Sequence, residues 1–272
     1  MSFEKTRVIY AQIYAEGCSA ELWLNGFPLS RITPKGMRGE SIAAQQFLIT
    51  GTNTLELVVA PQGRPSRARH ERRKEVIPEA MVKGWVTRYE DDAEPVPEQG
   101  AILCQVAFET PNPKTDPHEW PAIVSQPFDM SGIARWSWQD AEPITLNESV
   151  VDEARAVLQE LGYATAVGLV EPYFKLTEIL IRDCLEAYPA VQEDLIRADL
   201  AQFLAHYQKV KDPVVPLRRE ANDFRLVAGG RAMQCIDSDG TASLKLRNPD
   251  DDKPVPSNVF LARIGGKLRI VR

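Results

Sequence analysis

Residues 21–32, "ELWLNGFPLSRI", and residues 47–60, "FLITGTNTLELVVA", decide the fold class. In the first, Leu22 and Leu24 fall on one side of an extended strand and Trp23 on the other, because successive side chains alternate. Asn25-Gly26 then interrupts the run, and a second short apolar run follows. Asn-Gly accepts the positive φ that a two-residue hairpin turn requires. In the second stretch, Gly51 and Asn53 precede Leu55, Leu57 and Val59, which again share one face. Two such strands with turn chemistry between them predict a sandwich.

The same pattern extends in both directions. Strands are predicted at Arg7–Tyr14, Ala20–Leu24, Gln46–Ile49, Thr54–Ala60, Ala80–Tyr89, Ala101–Glu109, Ala122–Ser125 and Ala134–Gln139. They are short, rich in β-branched, aliphatic and aromatic residues, and bounded by Gly, Pro, Asn and Asp, which predicts an all-β sandwich domain over residues 1–143. "VKGWVTRYE" (82–90) and "AILCQVAFE" (101–109) alternate as strands with one buried face do. Between the strands, residues 63–74 carry Arg64, Arg67, Arg69, Arg72, Arg73 and Lys74 against a single Glu71, and residues 90–99 carry five carboxylates and two prolines. Both read as exposed charged loops.

Around Glu142-Pro143 the hydrophobic period changes to 3.6. Asn147 is placed to cap a helix whose apolar stripe runs through Val150, Val151, Ala154, Val157, Leu158 and Leu161, with Gly162 as its stop. A second helix starts at Glu171-Pro172, with Lys175, Glu178, Arg182 and Glu186 as a narrow polar strip. A third opens at Pro189, its apolar face formed by Leu195, Ile196, Leu200, Phe203 and Leu204. Hairpin signals at Gly229-Gly230, Asp239-Gly240 and Gly265-Gly266 predict a five-strand antiparallel meander over residues 224–272. The fold class read from sequence is therefore two-domain: an all-β sandwich, then an α+β domain (144–272) of about three helices and a β meander.

Composition narrows the functions. The chain has 272 residues, of which 44% are hydrophobic and 26% charged, with a net charge of -6. That is a globular composition with no general affinity for nucleic acid. No apolar run approaches the roughly 20 residues of a membrane helix, and the N-terminal "MSFEKTRVIYAQIY" lacks the pattern of a cleaved signal. Cys18, Cys104, Cys184 and Cys235 are far apart and without metal-ligand spacing, which reads as buried free thiols in a cytoplasmic, bacterial-type protein.

Motifs that carry chemistry are scarce. Asp237, Asp239 and Gly240 begin like a calcium loop, but no bidentate Glu follows, and a hairpin turn accounts for them. "NPDDDKP" (248–254) reads as a solvated loop. Of the three histidines, His118 in "TDPHEWP", beside Trp120, is the most site-like. His206 suits a helix C-terminus. Trp136 and Trp138 would share one strand face and, if exposed, could stack on a sugar or anchor a partner. Asp183 and Tyr173 are candidate polar groups for a pocket between helices and meander. No cofactor or metal is expected from these residues.

Leu22, Trp23, Leu24, Asn25 and Gly26, followed by Gly51, Asn53, Leu55, Leu57 and Val59, resemble the sugar-binding-type jelly-roll domain of β-galactosidase-like glycoside hydrolases. The matching residues are turn and core residues, so the resemblance implies a scaffold and not catalysis. The element order of the C-terminal half is loosely similar to the nuclear transport factor-like cone fold, and no residue role follows from it. These readings together predict a non-catalytic binding protein of adaptor or toxin-neutralising type, acting on another protein through sandwich loops and the surface between domains. The alternatives are an enzyme or small-molecule binder using His118, Asp183 or Tyr173, and a carbohydrate-binding module using Trp136 and Trp138. Neither a nucleic-acid nor a membrane partner is expected.

Overall fold

The computed structural model describes residues 7–34, 38–60, 73–75, 79–90, 99–110, 118–188, 191–215, 217, 222–237 and 240–272. Antiparallel sheets dominate, with four α-helices among the described residues, an α+β composition. Two compact units are present, Met1–Arg135 and Trp136–Arg272. Residues 136–143, read from sequence as the tail of the sandwich, belong to the second unit.

The first unit contains β1 (Arg7–Glu16), β2 (Ser19–Leu24), β3 (Phe27–Ile32), β4 (Gly39–Ala43), β5 (Gly51–Ala60), β6 (Arg73–Glu75), β7 (Met81–Glu90), β8 (Ala101–Glu109), β9 (His118–Trp120) and β10 (Ala122–Met130). They form two four-stranded sheets, ordered β4-β1-β7-β8 and β10-β5-β2-β3, and a small β6-β9 pair. Ile9, Ala11, Ile13 and Ala15 of β1, with Val82 and Val86 of β7, are buried on the inner face of the first sheet. Leu22, Leu24, Leu55 and Leu57 answer them from the second sheet, all fully buried. Gly84 lets the sheets approach closely, since a Cβ there would lie 2.8 Å from Leu22 Cδ1 and 3.2 Å from Leu57 Cδ2. Pro127 lies in β10, an edge strand, where a missing N–H costs no ladder bond.

The β2–β3 hairpin turns on Asn25 (φ 50) and Gly26 (φ 78), both left-handed as the dipeptide predicts. Asn25 also acts at a distance. Its amide nitrogen donates to Phe47 O at 2.8 Å and to Asn53 Oδ1 at 2.7 Å, and its Oδ1 accepts from Thr54 N at 2.9 Å. Asn53, fully buried, accepts from Ile49 N and donates to Ile49 O and Gly51 O. These bonds explain a departure from the sequence reading: Gln46–Ile49 is not a strand but a 3-10 turn, Gln45–Phe47, whose exit is held by Asn53. β3 and β4 were not predicted, because each alternates over only a few residues.

The second unit contains α1 (Glu148–Val167), α2 (Val170–Leu176), α3 (Glu178–Ala187), α4 (Glu193–Tyr207), β11 (Val214–Val215), β12 (Asn222–Val227), β13 (Ala232–Asp237), β14 (Lys245–Arg247), β15 (Pro254–Pro256), β16 (Phe260–Ile264) and β17 (Lys267–Ile270). Asn147 caps α1, accepting from Val150 N. The helix runs through Gly162 and ends at Gly168 in the left-handed region. Gly162 is therefore not a stop. A Cβ there would come within 3.1 Å of Val214 Cγ1, so the glycine allows α1 to approach β11. The predicted second helix is two, α2 and α3, broken where the Thr177 hydroxyl donates back to Tyr173 O at 2.9 Å. Its polar strip, Lys175, Glu178, Arg182 and Glu186, is exposed as expected. Pro189 lies outside the described residues; α4 begins at Glu193, and Leu195, assigned to its apolar face, is 57% exposed.

The predicted meander is divided. β12-β13-β16-β17 form one sheet, while β14 and β15 join β11 in another. The β16–β17 hairpin turns on Gly265 and Gly266 as read. At the second signal, Asp239 lies outside the described residues, and the strand leaving the turn keeps only an Ile236–Ala242 bridge with β13. Ala154, Leu158 and Leu161 of α1 pack with Phe224, Met233, Leu261, Leu268 and Ile270 as the core.

Asn53→Ala would remove the side-chain partner of Ile49 N, Ile49 O and Gly51 O and one acceptor of the Asn25 amide. An unfolding loss of about 3 kcal/mol is expected, measured as a lowered urea midpoint of the sandwich transition; a shift within error would mean that water replaces the side chain at no cost.

Candidate functional site

The face of the β4-β1-β7-β8 sheet turned away from the sandwich core carries the concentration of aromatic and amide side chains. Strand alternation puts it there. With Ile9, Ala11 and Ile13 inward, Val8, Tyr10, Gln12 and Tyr14 point outward, and with Val82, Gly84 and Val86 inward, so do Lys83, Trp85, Thr87 and Tyr89. The register lines these residues into rows across the sheet. Ala43, Tyr10, Thr87 and Ile102 form one row; Ser41, Gln12, Trp85 and Gln105 the next; Gly39, Tyr14, Lys83 and Ala107 the third. Trp85 therefore sits between two glutamines, with Tyr10 and Tyr14 on the diagonals, within reach of each other's side chains.

Tyr10, Tyr14, Lys83 and Trp85 are half-buried, and Ser41, Gln105 and Ala107 are exposed. Beneath them lies a fixed polar layer. The Tyr89 hydroxyl donates to Gln12 Oε1 at 2.9 Å, and the Gln12 amide donates to Ser41 Oγ at 3.1 Å. Both Gln12 and Tyr89 are buried, at 4% and 2% exposure. Tyr10 packs edge-on against Tyr89, with ring centroids 5.8 Å apart. At the rim, Glu16 accepts from Arg38 at 3.0 Å. Gly100 crosses the upper end of the face, where a Cβ would fall 2.3 Å from Thr87 Cγ2. Among the described residues, no hydrogen bond occupies the Trp85 indole N–H or the Tyr10 hydroxyl. Planar rings with free polar tips, set on rigid strands, can stack on a ligand and hydrogen-bond it at once.

The residues singled out by sequence lie elsewhere. Trp120 is fully buried and meets Phe108 edge-on at 5.7 Å. His118 pairs by its backbone with Glu75 in the β6–β9 ladder, and its side chain lies outside the described residues, as do residues 64–72 and 91–98 of the charged loops. Trp136 and Trp138 do not share a strand face. Ala134–Gln139 is not a strand, because Gln139 Oε1 accepts from Trp136 N at 2.8 Å and winds Ser137–Asp140 into a 3-10 turn. Both indoles are buried, at 1% and 5% exposure, so neither offers a stacking surface. Tyr173 packs against Phe203 in the helical layer, where burial pushes its hydroxyl pKa up.

Asp183 and Trp136 do come together, in a cluster of the second unit. Asp183 accepts from Arg272 at 2.9 Å and from the Ser137 hydroxyl at 2.6 Å, and Arg182 donates to that hydroxyl at 2.7 Å. Arg272 lies 5.7 Å from the Trp136 ring centroid. The side chains of Asp183 and Arg272 are each 2% exposed. The Ser137 proton is given to a carboxylate already paired with an arginine, and the hydroxyl oxygen accepts from Arg182, so the hydroxyl is held and not activated. This is a buried ionic tie.

In the 248–254 loop, Asp251 pairs with Lys253 at 2.7 Å, and the Asn248 side chain caps Asp250 N. Among the described residues, no three His, Cys, Asp or Glu side chains gather as a metal site. The four cysteines are free, and burial pushes the Cys18 and Cys235 thiols up to about 11, far from thiolate reactivity at neutral pH.

No protein-family model matches the chain, and no curated protein or solved structure is significantly similar to it.

Two measurements test this assignment. The chain has five tryptophans, and Trp23, Trp120, Trp136 and Trp138 are all buried, leaving Trp85 as the indole that solvent reaches. Acrylamide should quench one emitting component of the native protein, and Trp85→Phe should remove it; unchanged quenching in that variant would show that another indole is open. Separately, Asp183→Ala would strand a buried guanidinium. A loss of about 3–5 kcal/mol is expected in denaturant unfolding of the second unit, and stability equal to that of the original chain would refute the ionic tie.

Proposed function

We propose that this chain is a non-catalytic binding protein whose recognition surface is the outer face of the β4-β1-β7-β8 sheet. One observation carries the reading: among the described residues Asp183, Ser137 and Arg272 are bonded to one another, while this face keeps a tryptophan and two tyrosines half-buried on a rigid floor. Trp and Tyr contribute disproportionately to binding energy, and they do so best where the surface need not reorganise. The ladder and the buried Gln12 bridge supply that preorganisation.

We place recognition on this face and not on the sandwich loops. At the Asn25-Gly26 end, the described loops are sewn to each other, with the Thr50 hydroxyl donating to Ile133 O at 2.9 Å in addition to the Asn25–Asn53 bonds. Their polar side chains serve the scaffold. A catalytic pocket in the second unit draws no support from Asp183 or Tyr173, since the first faces Arg272 and the second packs against an aromatic ring.

Affinity capture from an extract of the native cells tests the proposal, with Trp85→Ala as the disabled variant and Lys175→Glu, on the exposed strip of α2, as the control. The original chain and the control should retain the same specific component, and Trp85→Ala should lose it while keeping its circular dichroism spectrum. Retention indifferent to Trp85 would overturn the assignment of this face.

A further inference from the structure

We infer that β8 is a self-pairing edge: two copies of this chain join antiparallel along it, with a two-fold axis at Ala107, so that the β4-β1-β7-β8 sheet continues from one copy into the other. Pairing along this edge is independent of what the outer face binds.

The edges of the sandwich are unequal. An unpaired edge strand invites another strand, and proteins blunt it with proline, a bulge or an inward-pointing charge. β3 carries Pro28 beside a register shift, and β10 carries Pro127. β4 is five residues long, and its Glu40, opposite the inward-facing Ile13, accepts from the Ser30 hydroxyl of β3. β8 is nine residues long and has no proline, and its one charge, Glu109, stands at its end. Its register with β7 shifts at Val86/Thr87, near the start of β8, and residues 104–109 pair regularly.

The phase of the ladder says which backbone groups face outward. Thr110 N donates to Ala80 O at 3.0 Å, the residue directly opposite it when the register is continued, so this is a narrow pair. At alternate positions from it, Phe108, Val106 and Cys104 turn their backbone groups to β7. Gln105, Ala107 and Glu109 therefore turn theirs to the open edge, and their side chains are all exposed. The Gln105 N–H lies beside the Cys104 sulfur, a weak acceptor. Among the described residues, the outward backbone groups of Ala107 and Glu109 make no hydrogen bond. The neighbouring β10 meets β8 through a sulfur contact, Cys104 Sγ to Gln126 O at 3.8 Å, and not through a ladder.

The side chains of this edge complement themselves. Residues opposite each other in a ladder share a sheet face. With the axis at Ala107, Ala107 meets Ala107, the Gln105 amide lies opposite the Glu109 carboxylate on either side, and Val106 lies opposite Phe108 on the inner face. An amide donates to a carboxylate, and no like charges face each other. The small side chain at the axis lets the backbones reach the roughly 5.5 Å Cα separation of a narrow pair. Phe108, half-buried in the single chain, gains cover. The pairs 105–109, 107–107 and 109–105 supply roughly six ladder hydrogen bonds, two for each narrow pair. An extended peptide of another protein would use the same backbone groups, but these side chains match their own sequence, which selects the second copy. A contact of this length belongs to the weak, concentration-dependent class.

Sedimentation velocity of the intact chain over a concentration series tests the pairing. The mass should rise from 30.4 kDa toward twice that value as concentration increases. Ala107→Lys, which sets two ammonium groups at the axis, should abolish the rise and leave the circular dichroism spectrum unchanged, because the position is exposed. Ala107→Pro should do the same, since the N–H it removes faces the edge and is not used by β7. Oxidised Ala107→Cys should give a disulfide-linked dimer and Ala101→Cys should not; the reverse would overturn the axis at Ala107. Trp85→Ala should associate as the original chain does, so failure of the binding face and failure of the edge are read separately. A chain that stays monomeric at every concentration overturns the inference, and so does association unchanged in Ala107→Lys. If the chain is monomeric and Ala107→Lys loses a protein captured from cells, the edge takes a foreign strand and self-pairing is refuted.

Discussion

The close approach of Leu22 to Gly84 governs the sandwich. At that point β7 carries no side chain, and Leu22 and Leu57 of the facing sheet fill the space. Because strand side chains alternate, placing Gly84 inward places Lys83 and Trp85 outward, and the antiparallel ladder with β1 then places Gln12 beside Trp85. A slip of one residue would drive Lys83, Trp85 and Thr87 into the core and expel Val82 and Val86. The burial of one face thus decides which side chains the other face displays, and the candidate site is a consequence of core packing and not an addition to it.

The Asp183 cluster and the outer sheet face differ in the way that matters for function. Around Asp183, charges are fully withdrawn from water, and each has a partner, as buried charges must. Desolvation pulls the Arg272 pKa down, and the pairing with Asp183 opposes it. Such an arrangement ties these groups to one another. On the outer face of β1 and β7, the buried amide is satisfied from within; the Tyr14 hydroxyl donates to Glu16, while among the described residues no hydrogen bond occupies the Trp85 indole or the Tyr10 hydroxyl. The same contrast separates Trp136, enclosed beside Arg272, from Trp85, half-open between two glutamines.

Local signals in the sequence predicted those features that local physics determines. Asn25-Gly26 and Gly265-Gly266 turn because few other residues accept their φ, and Asn147 caps α1 because its side chain reaches its own helix. The failures fall where a partner distant in sequence, or a competing short-range bond, decides. Gln46–Ile49 looked extended until Asn53 and Asn25 claimed its backbone. "ARWSWQD" alternated like a strand, yet one side-chain bond from Gln139 to Trp136 N wound it into a turn. Gly162 had the composition of a stop, and only the position of Val214 shows it to be a contact. The site itself was partly legible. "RVIYAQIY" and "VKGWVTRYE" carry aromatic and amide residues on alternate positions, but alternation alone does not say which face is core. The small inward residues, Ala11, Ala15 and Gly84, are what settle it, and they do so only against the leucines of the opposite sheet.

That dependence also explains how a half-buried tryptophan can persist on a sheet without becoming a core residue. A large ring on an outer face gains stability only from what covers it, so its energetic contribution to the fold is small unless it lies over something fixed. Here it lies in line with Gln12, whose amide is locked between Tyr89 and Ser41 and cannot turn to fold over the ring. A glutamine free to rotate would screen the indole edge in the unliganded state and would have to be moved on binding. Locked, it leaves the ring face presented and the adjacent hydroxyl oriented before any ligand arrives. The buried hydrogen bonds thus serve recognition by removing conformations, which is the form preorganisation takes on a β-sheet surface.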